Sequence, residues 1–295
     1  MIKNIIISGG AVRTISVIGA LKYLDEQTLL QNVDTFVGTS AGSILCFFVC
    51  IGYTIDEIVH FLHEHLFGNN LYSLSLDEVI NFNILTAFGM DSGSTIIQLF
   101  EDALFLKYHR KDITFIELTK MTAKNLVVCA ANITSGESEY FSVDTTPDVS
   151  VILALRMSIS LPFIFSPVKH NNCYYVDGGI FESFPLSYVN RYKDHLKDTL
   201  GIYTLTSELT TQHNKIESML DYVSAIFTST IRKANDLTTQ KISDKIKVIN
   251  IEFDTVDIAS FDFESLSFNI NSSIIDEYIG KGYETIKKCF LTQNA

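Results

Sequence analysis

The chain has 295 residues, with 34 acidic against 22 basic side chains for a formal charge of −12, and 47% hydrophobic against 19% charged residues. Length and dryness imply a compact protein with a large buried core, and exclude a disordered or fibrous chain. The acidic balance excludes a coat for nucleic-acid phosphates, which needs a basic face, and leaves any peripheral membrane contact to apolar side chains. Four prolines and no linker-like run make a single domain, residues 1–295, the expectation. Five cysteines (Cys46, Cys50, Cys129, Cys173, Cys289) form an odd set without CxxC spacing, which points to a reducing, cytoplasmic setting. The apolar run within Met1–Ser8 is too short for a signal peptide, and Ile44–Ile51 falls far short of the ~20 apolar residues of a spanning helix.

In chain order, Asn4–Ser8 reads as a buried strand on its consecutive isoleucines, and Ile15–Glu26 as a helix with Val17, Ala20, Leu21 and Leu24 on one face. Between them lies Ser8-Gly9-Gly10-Ala11-Val12-Arg13-Thr14, a loop able to aim backbone N–H groups at an anion. A P-loop would need Gly-Lys-Ser/Thr at its end, which is absent. A dinucleotide fingerprint would need glycines where Ala11 and Thr14 stand. An oxyanion hole and a plain glycine turn remain. The next stretch, Thr35-Phe36-Val37-Gly38-Thr39-Ser40-Ala41-Gly42, joins a β-leaning run to a helix that is apolar on every side. Such a strand–turn–helix exposes the Ser40 hydroxyl at a helix head, where unpaired amides favour the negative charge of ester attack. The glycines at 38 and 42 remove side chains that would collide in the turn. A glycine-flanked serine that merely caps a helix has the same pattern.

From Thr54 to about Leu106 the chain reads as mostly helical, with Asp56 as one N-cap and Ser75 opening a capping-box pattern. His60, His63 and His65 lack metal-site spacing and read as solvated or capping residues. Phe82, Ile84, Leu85, Phe88 and Met90 are candidates for an apolar entrance, or for core. Asn125–Ala131 reads as a strand, Asn132–Glu137 as a turn, Tyr140–Val143 as a returning strand and Val151–Ser158 as a short helix. The strand Cys173–Val176 leads into Asp177-Gly178-Gly179, a carboxylate at a strand end with two glycines behind it. Late strands are expected at Asp198–Leu205 and Ile246–Phe253, and helices at Glu217–Lys241 and Asn271–Phe290. Either helix could pack on the sheet or lie on a bilayer.

A serine needs a group to take its proton. His195 and His213 follow Asp177 in the order of a Ser–Asp–His hydrolase, but both sit in polar, non-strand surroundings. Asp177 acting directly on Ser40 is the economical alternative, and it needs a desolvated site, because a carboxyl with a pKa near 3.9 is a weak base.

The motifs Ser8-Gly9-Gly10-Ala11-Val12-Arg13, Gly38-Thr39-Ser40-Ala41-Gly42-Ser43 and Val176-Asp177-Gly178-Gly179, with Leu155–Val168 ahead of the acid, together resemble the patatin-like phospholipase family. The likeness runs from Asn4 to about Pro185, a motif-bearing core of about 4–185, and extends faintly into the strands and helices of 186–295. The resemblance implies a three-layer α/β fold with a mostly parallel sheet between helices. It implies hydrolysis of phospholipid or other acyl-lipid esters through an acyl-enzyme, without metal or organic cofactor. Ser40 would be the nucleophile and Asp177 its partner. The loop Gly9, Gly10, Ala11, Val12 and Arg13 would form the oxyanion hole, with Arg13 setting its shape, and Gly38, Gly42, Gly178 and Gly179 would be the motif glycines. Ala11 and Thr14 replace family glycines, and a methyl group at 11 would resist a positive φ. Asn132 replaces an aspartate and reads as structural. A non-lipid carboxylesterase or thioesterase would use the same dyad, and a lipid-binding scaffold with a spent site would keep only the fold.

Overall fold

The computed structural model describes residues 1–67, 88–192, 196–206, 246–253 and 272–292, the short pairs 261–262 and 267–268, and single positions between 216 and 233. The elements follow one another as β1 (Asn4–Ile7), a 3-10 turn (Ala11–Thr14), α1 (Ile15–Glu26), β2 (Thr35–Thr39), α2 (Ala41–Cys50), α3 (Ile55–Leu62), β3 (Gly89–Asp91), α4 (Ser94–Tyr108) and α5 (Phe115–Thr122). Then come β4 (Asn125–Asn132), β5 (Glu137–Phe141), α6 (Val151–Ser158), β6 (Phe163–Phe165), β7 (Val168–His170), β8 (Cys173–Asp177), α7 (Gly179–Glu182) and α8 (Leu186–Tyr192). The chain continues through β9 (Thr199–Thr206), β10 (Lys247–Phe253), the pair β11 (Phe261–Asp262) and β12 (Ser267–Phe268), and α9 (Ser272–Leu291).

The main sheet has the order β10-β9-β1-β2-β4-β8-β7, with β5 also paired to β4. β10, β9, β1, β2 and β4 run parallel, and β5, β8 and β7 complete the sheet by antiparallel pairing. Alternation along the strands builds two cores. Ile5, Ile7, Phe36, Leu126 and Val128 face the layer of α1, α2, α4 and α6, whereas Ile6, Val37 and Val127 face α8 through Tyr188 and Val189. The architecture is therefore the expected α/β one, with a mostly parallel sheet between helical layers. Because β1 and β2 are adjacent and parallel, with Ile7 opposite Gly38, the loop after β1 and the turn after β2 open at the same carboxyl edge.

The expected strands at β1, β4, β8, β9 and β10 and the helix α6 stand within a residue or so of their sequence boundaries. Three expectations are corrected. Thr54, not Asp56, caps α3: its Oγ accepts from Glu57 N while Glu57 Oε2 accepts from Thr54 N at 2.7 Å. This reciprocal box lets Ile55 be buried at the first helical position, which a cap at 56 would forfeit. The returning strand β5 begins at Glu137 rather than Tyr140, and Asn132 extends β4 while its Oδ1 accepts from the Thr134 and Ser135 amides of the turn. The polar residues Glu137–Glu139 hid that start, because they sit on the exposed end of the strand. The pairing of β3 with β6 was not expected. Of the expected helix at 217–241 only positions 222, 225, 229 and 233 are described, each of them helical, and the Ser75 cap, His195 and His213 lie outside the described residues.

Cys46 and Cys50 are buried in the core, and burial pushes both thiols up in pKa. His60 pairs with Glu64 at 3.2 Å, and His65 stacks on Phe61 with ring centroids 4.1 Å apart. α9 packs on α1 and β10, with Tyr278 on Phe253 and Lys247 over the Phe290 ring, and so takes the sheet-packed option over the bilayer one. Among the described residues, no helix is long and apolar enough to cross a membrane.

Candidate active site

The turn after β2 carries Ser40 at φ 53°, ψ −129°, a left-handed backbone that a non-glycine residue adopts only under constraint. The constraint comes from both sides. A Cβ on Gly38 would stand 2.5 Å from Ser43 Cα, and one on Gly42 would stand 2.6 Å from the carbonyl oxygens of Ile7 and Ser8. Only bare backbone lets α2 start this close to β1. The Ser40 hydroxyl therefore projects at the head of α2, whose unpaired amides and dipole are positive there.

Ser40 Oγ donates to Asp177 Oδ2 at 2.5 Å, across 137 positions of sequence. β8 delivers the carboxylate by antiparallel pairing with β4, Asp177 opposite Ala130, and β4 is the parallel neighbour of β2. The other carboxylate oxygen accepts from Gly179 N at 2.7 Å, so the second motif glycine orients the acid, and Gly178 lies against the Cys129 carbonyl. Asp177 is 5% exposed. Burial raises its pKa from 3.8 to about 6, opposed by the Ser40 and Gly179 hydrogen bonds. Desolvation has thus made a carboxylate of increased basicity in contact with a hydroxyl.

The loop after β1 comes to the same place. Gly9 N donates to Ser183 O at 2.8 Å, and a Cβ on Gly9 would touch Ser40 Cβ at 3.3 Å. The 3-10 turn follows, with Gly10 as its cap and Arg13 N on Gly10 O at 3.1 Å. Among the described residues the amides of Gly10, Ala11 and Val12 have no backbone acceptor, as the first N–H groups of a helical turn do not. Ala11 adopts φ +47°. The methyl group has not prevented the positive φ; it makes that conformation cost about 1–2 kcal/mol. Ala11→Gly should therefore raise stability by up to ~1 kcal/mol, the unfolded chain's extra freedom offsetting part of the relief. Thermal unfolding of the two proteins checks this, and a lower midpoint for the glycine variant would contradict it. Arg13 lies within electrostatic reach of Tyr278 of α9 and Tyr203 of β9; its Nε is buried with no hydrogen-bond partner among the described residues, and burial lowers its pKa.

Ala11, Val12, Ser40 and Asp177 share a cavity of about 180 Å³. Apart from Thr14, Ser40 and Asp177, its lining is apolar or alanine, contributed by α1 (Ile15, Ile18), α2 (Ile44, Leu45), Leu62 and Ile96. It exceeds the ~150 Å³ apolar cavity that takes up benzene. Phe88 does not line it and is 64% exposed, while Phe82, Ile84, Leu85 and the Met90 side chain lie outside the described residues. The wall instead comes from helices far apart in sequence, a juxtaposition that no local pattern reveals. On its other side stand Leu161, Ile164 and Phe165, held by Arg156. The buried guanidinium donates to Ser92 O, Ser166 O and Ser160 Oγ, and so rivets β3 to β6; burial lowers its pKa to about 10. No described histidine lines the cavity, and no described group of His, Cys, Asp and Glu could hold a metal ion.

The sequence reading missed the polar frame behind these residues. Ser158 Oγ accepts from Ser40 N at 2.9 Å, and Thr39 Oγ1 donates to Glu182 O, whose carboxylate is buried on Tyr140 OH and Ser187 N. Its only sequence signal was a pair of serines two apart at the end of an apolar helix.

A model of the patatin-like phospholipase family matches residues 5–189. The chain is 35% identical over 216 residues to "Probable lipid hydrolase 463L" of Invertebrate iridescent virus 6, covering 72% of this chain and 73% of the viral protein. It is 34% identical over 203 residues to "Uncharacterized protein R571" of Acanthamoeba polyphaga mimivirus, covering 68% and 65% respectively. Among solved structures it resembles VipD from Legionella pneumophila, with a TM-score of 0.57 at 17% identity, over 97% of this chain and 66% of that one. It therefore spans about two thirds of the mimivirus and Legionella chains. A match over more than half its length, carrying the serine turn, the glycine loop and the acid together, establishes that the chain belongs to the patatin-like phospholipase family.

Proposed function

We propose that the protein is a lipid acyl hydrolase of phospholipase A type, working through a Ser40–Asp177 dyad, and that residues 1–295 form one catalytic domain. The observation that carries this reading is the 2.5 Å contact between the Ser40 hydroxyl and a buried carboxylate, both of which line a mostly apolar cavity. Ser40 Oγ attacks the acyl carbonyl carbon as its proton passes to Asp177. The oxyanion receives the free amides of the Gly10–Val12 turn and the positive end of α2. Collapse expels the alcohol, which takes the proton from Asp177, and leaves an acyl-Ser40 ester. Water then attacks that ester, Asp177 again accepting the proton, and the fatty acid leaves with Ser40 restored. The apolar lining favours an acyl chain over a polar acid, which supports lipid over a soluble ester. β9 and β10 lie beyond the family match and belong to the same sheet as β1, which supports a single domain.

Fatty-acid release from phosphatidylcholine vesicles, compared with hydrolysis of a short acetate ester, tests the substrate class. Release from vesicles with the higher kcat/KM is expected; hydrolysis of the acetate alone would favour a non-lipid esterase. The acid must be ionised to take a proton, so kcat/KM should rise tenfold per pH unit below about 6 and level off above it. A profile flat from pH 4 to 8 would contradict Asp177 as the base.

A further inference from the structure

We infer that Ser158, at the end of α6, is a positioning residue for Ser40; the inference rests on Ser40 being the nucleophile. The left-handed backbone of Ser40 has to be held by its own two polar groups. Its carbonyl accepts from Ser43 N at 2.9 Å and Ser43 Oγ at 2.6 Å, both within the first turn of α2. Among the described residues its N–H has one acceptor, Ser158 Oγ at 2.9 Å, which comes from a different element.

The direction of these bonds is fixed by elementary valence. Ser158 is wholly buried, and its Oγ stands 2.6 Å from the Cys129 carbonyl. A carbonyl cannot donate, so the single Ser158 proton points at Cys129 and a lone pair is left for the Ser40 amide. Cys129 is the residue of β4 paired with Thr39, so the bridge ties the serine turn to the strand beside it. The same stretch also holds the acid: Ser160 O accepts from Asp177 N at 2.9 Å and Ser158 O from Gly178 N at 3.3 Å. One short segment thus fixes both partners of the dyad, Ser40 through a side chain and Asp177 through backbone alone.

That difference makes the role testable. Replacing Ser158 removes the acceptor for the Ser40 amide and leaves the carbonyls that hold Asp177. Ser40 can then relax out of the geometry that aims Oγ at Oδ2, while the carboxyl keeps its surroundings. It also follows that the Ser40 amide is occupied and is not an oxyanion donor.

The experiment measures the rate of labelling by a fluorophosphonate, and kcat and KM for vesicle phosphatidylcholine, in the parent, Ser158→Ala, Ser158→Cys and Ser158→Thr, with thermal unfolding alongside. Ser158→Ala and Ser158→Cys, the latter of similar size but with only a weak acceptor, should lose 10- to 100-fold in labelling rate and kcat. KM should change less than threefold, and the acid limb should stay at the parental pH. Ser158→Thr keeps the hydroxyl and should recover to within about fivefold of the parent. Ile286→Val, a core truncation in α9 remote from the site, controls for lost stability. If Ser158→Ala does not fold, Ser158→Cys against Ser158→Thr decides. Equal rates for these two, or losses that follow the unfolding midpoint across all variants including Ile286→Val, would overturn the inference. Ser40→Ala separates this from failure of the dyad: if it labels like the parent, the nucleophile assignment fails; if it is inert while Ser158→Ala labels at the parental rate, only the role of Ser158 falls.

Discussion

Asp177→Asn should abolish fatty-acid release, lowering kcat by about 10³-fold or more, while leaving the protein folded and no less stable at neutral pH. The kinetic half follows from the chemistry: an amide cannot take the Ser40 proton, and in serine triads losing the base costs on the order of 10⁶ and losing the carboxylate on the order of 10⁴. The stability half follows from linkage. Burial lifts the Asp177 pKa from 3.8 to about 6, so the folded state binds this proton more readily than the unfolded chain. A raised folded pKa means that the group's stabilising contribution is fully present below pH 3.8 and lost as pH rises through 6. At pH 7 and above the ionised carboxylate therefore burdens the fold by on the order of 3 kcal/mol. Asparagine is neutral and of the same shape; it can accept from Gly179 N through Oδ1 and donate to Ser40 Oγ through Nδ2. The variant should thus unfold at a higher temperature than the parent at pH 8, with the gap closing below pH 4. Parental activity in the variant would remove Asp177 from the reaction, and a gap that widens toward acid would refute the burial argument.

Gly282→Ala should destabilise the protein by about 3 kcal/mol or more, while Gly280→Ala, two residues earlier in α9, should stabilise it by about 0.5–1 kcal/mol. α1 and α9 meet through glycine: a Cβ on Gly282 would fall inside the Ser16 carbonyl, and one on Gly19 inside the Ile279 carbonyl. Both obstacles are helix backbone, which has no rotamer to swing aside, so the helices must separate and expose the contact. Gly280 is exposed with nothing near its Cβ, so alanine there gains only helix propensity. For a chain of this size 3 kcal/mol lowers the midpoint by on the order of 10 °C. Thermal unfolding of both variants reads the signs directly, and two shifts of the same sign would contradict the packing. Because α1 begins where the 3-10 turn ends, Gly282→Ala should also slow labelling of Ser40.

The parts legible in the sequence were those where local chemistry leaves little choice. Ile5-Ile6-Ile7 can only be a strand buried on both faces, and Gly38 and Gly42 flank a serine because no side chain fits between α2 and β1. The contact of Asp177 with Ser40 was reached by elimination: Asp177 ended a strand and the later histidines did not. Long-range and polar features stayed hidden. The β3–β6 pair joins segments some seventy residues apart through three residues each, too short for any periodicity. Arg156 was not singled out within the Leu155–Val168 stretch, yet it is the clamp for the cavity wall because two carbonyls and a hydroxyl converge on it. The lift in the Asp177 pKa comes from burial, which no run of residues displays. Asp56 read as the cap on residue type alone, whereas the cap falls on Thr54, the position that leaves Ile55 buried in the first turn.

The central claim is that Ser40 attacks and Asp177 takes its proton. Intact mass and peptide mapping after brief exposure to a fluorophosphonate at pH 8 test it most directly, in the parent and in Asp177→Asn. One adduct per chain on the peptide holding Ser40, formed at least a hundredfold more slowly in Asp177→Asn, is the predicted result; an adduct on another residue, or equal rates in the two proteins, would contradict it.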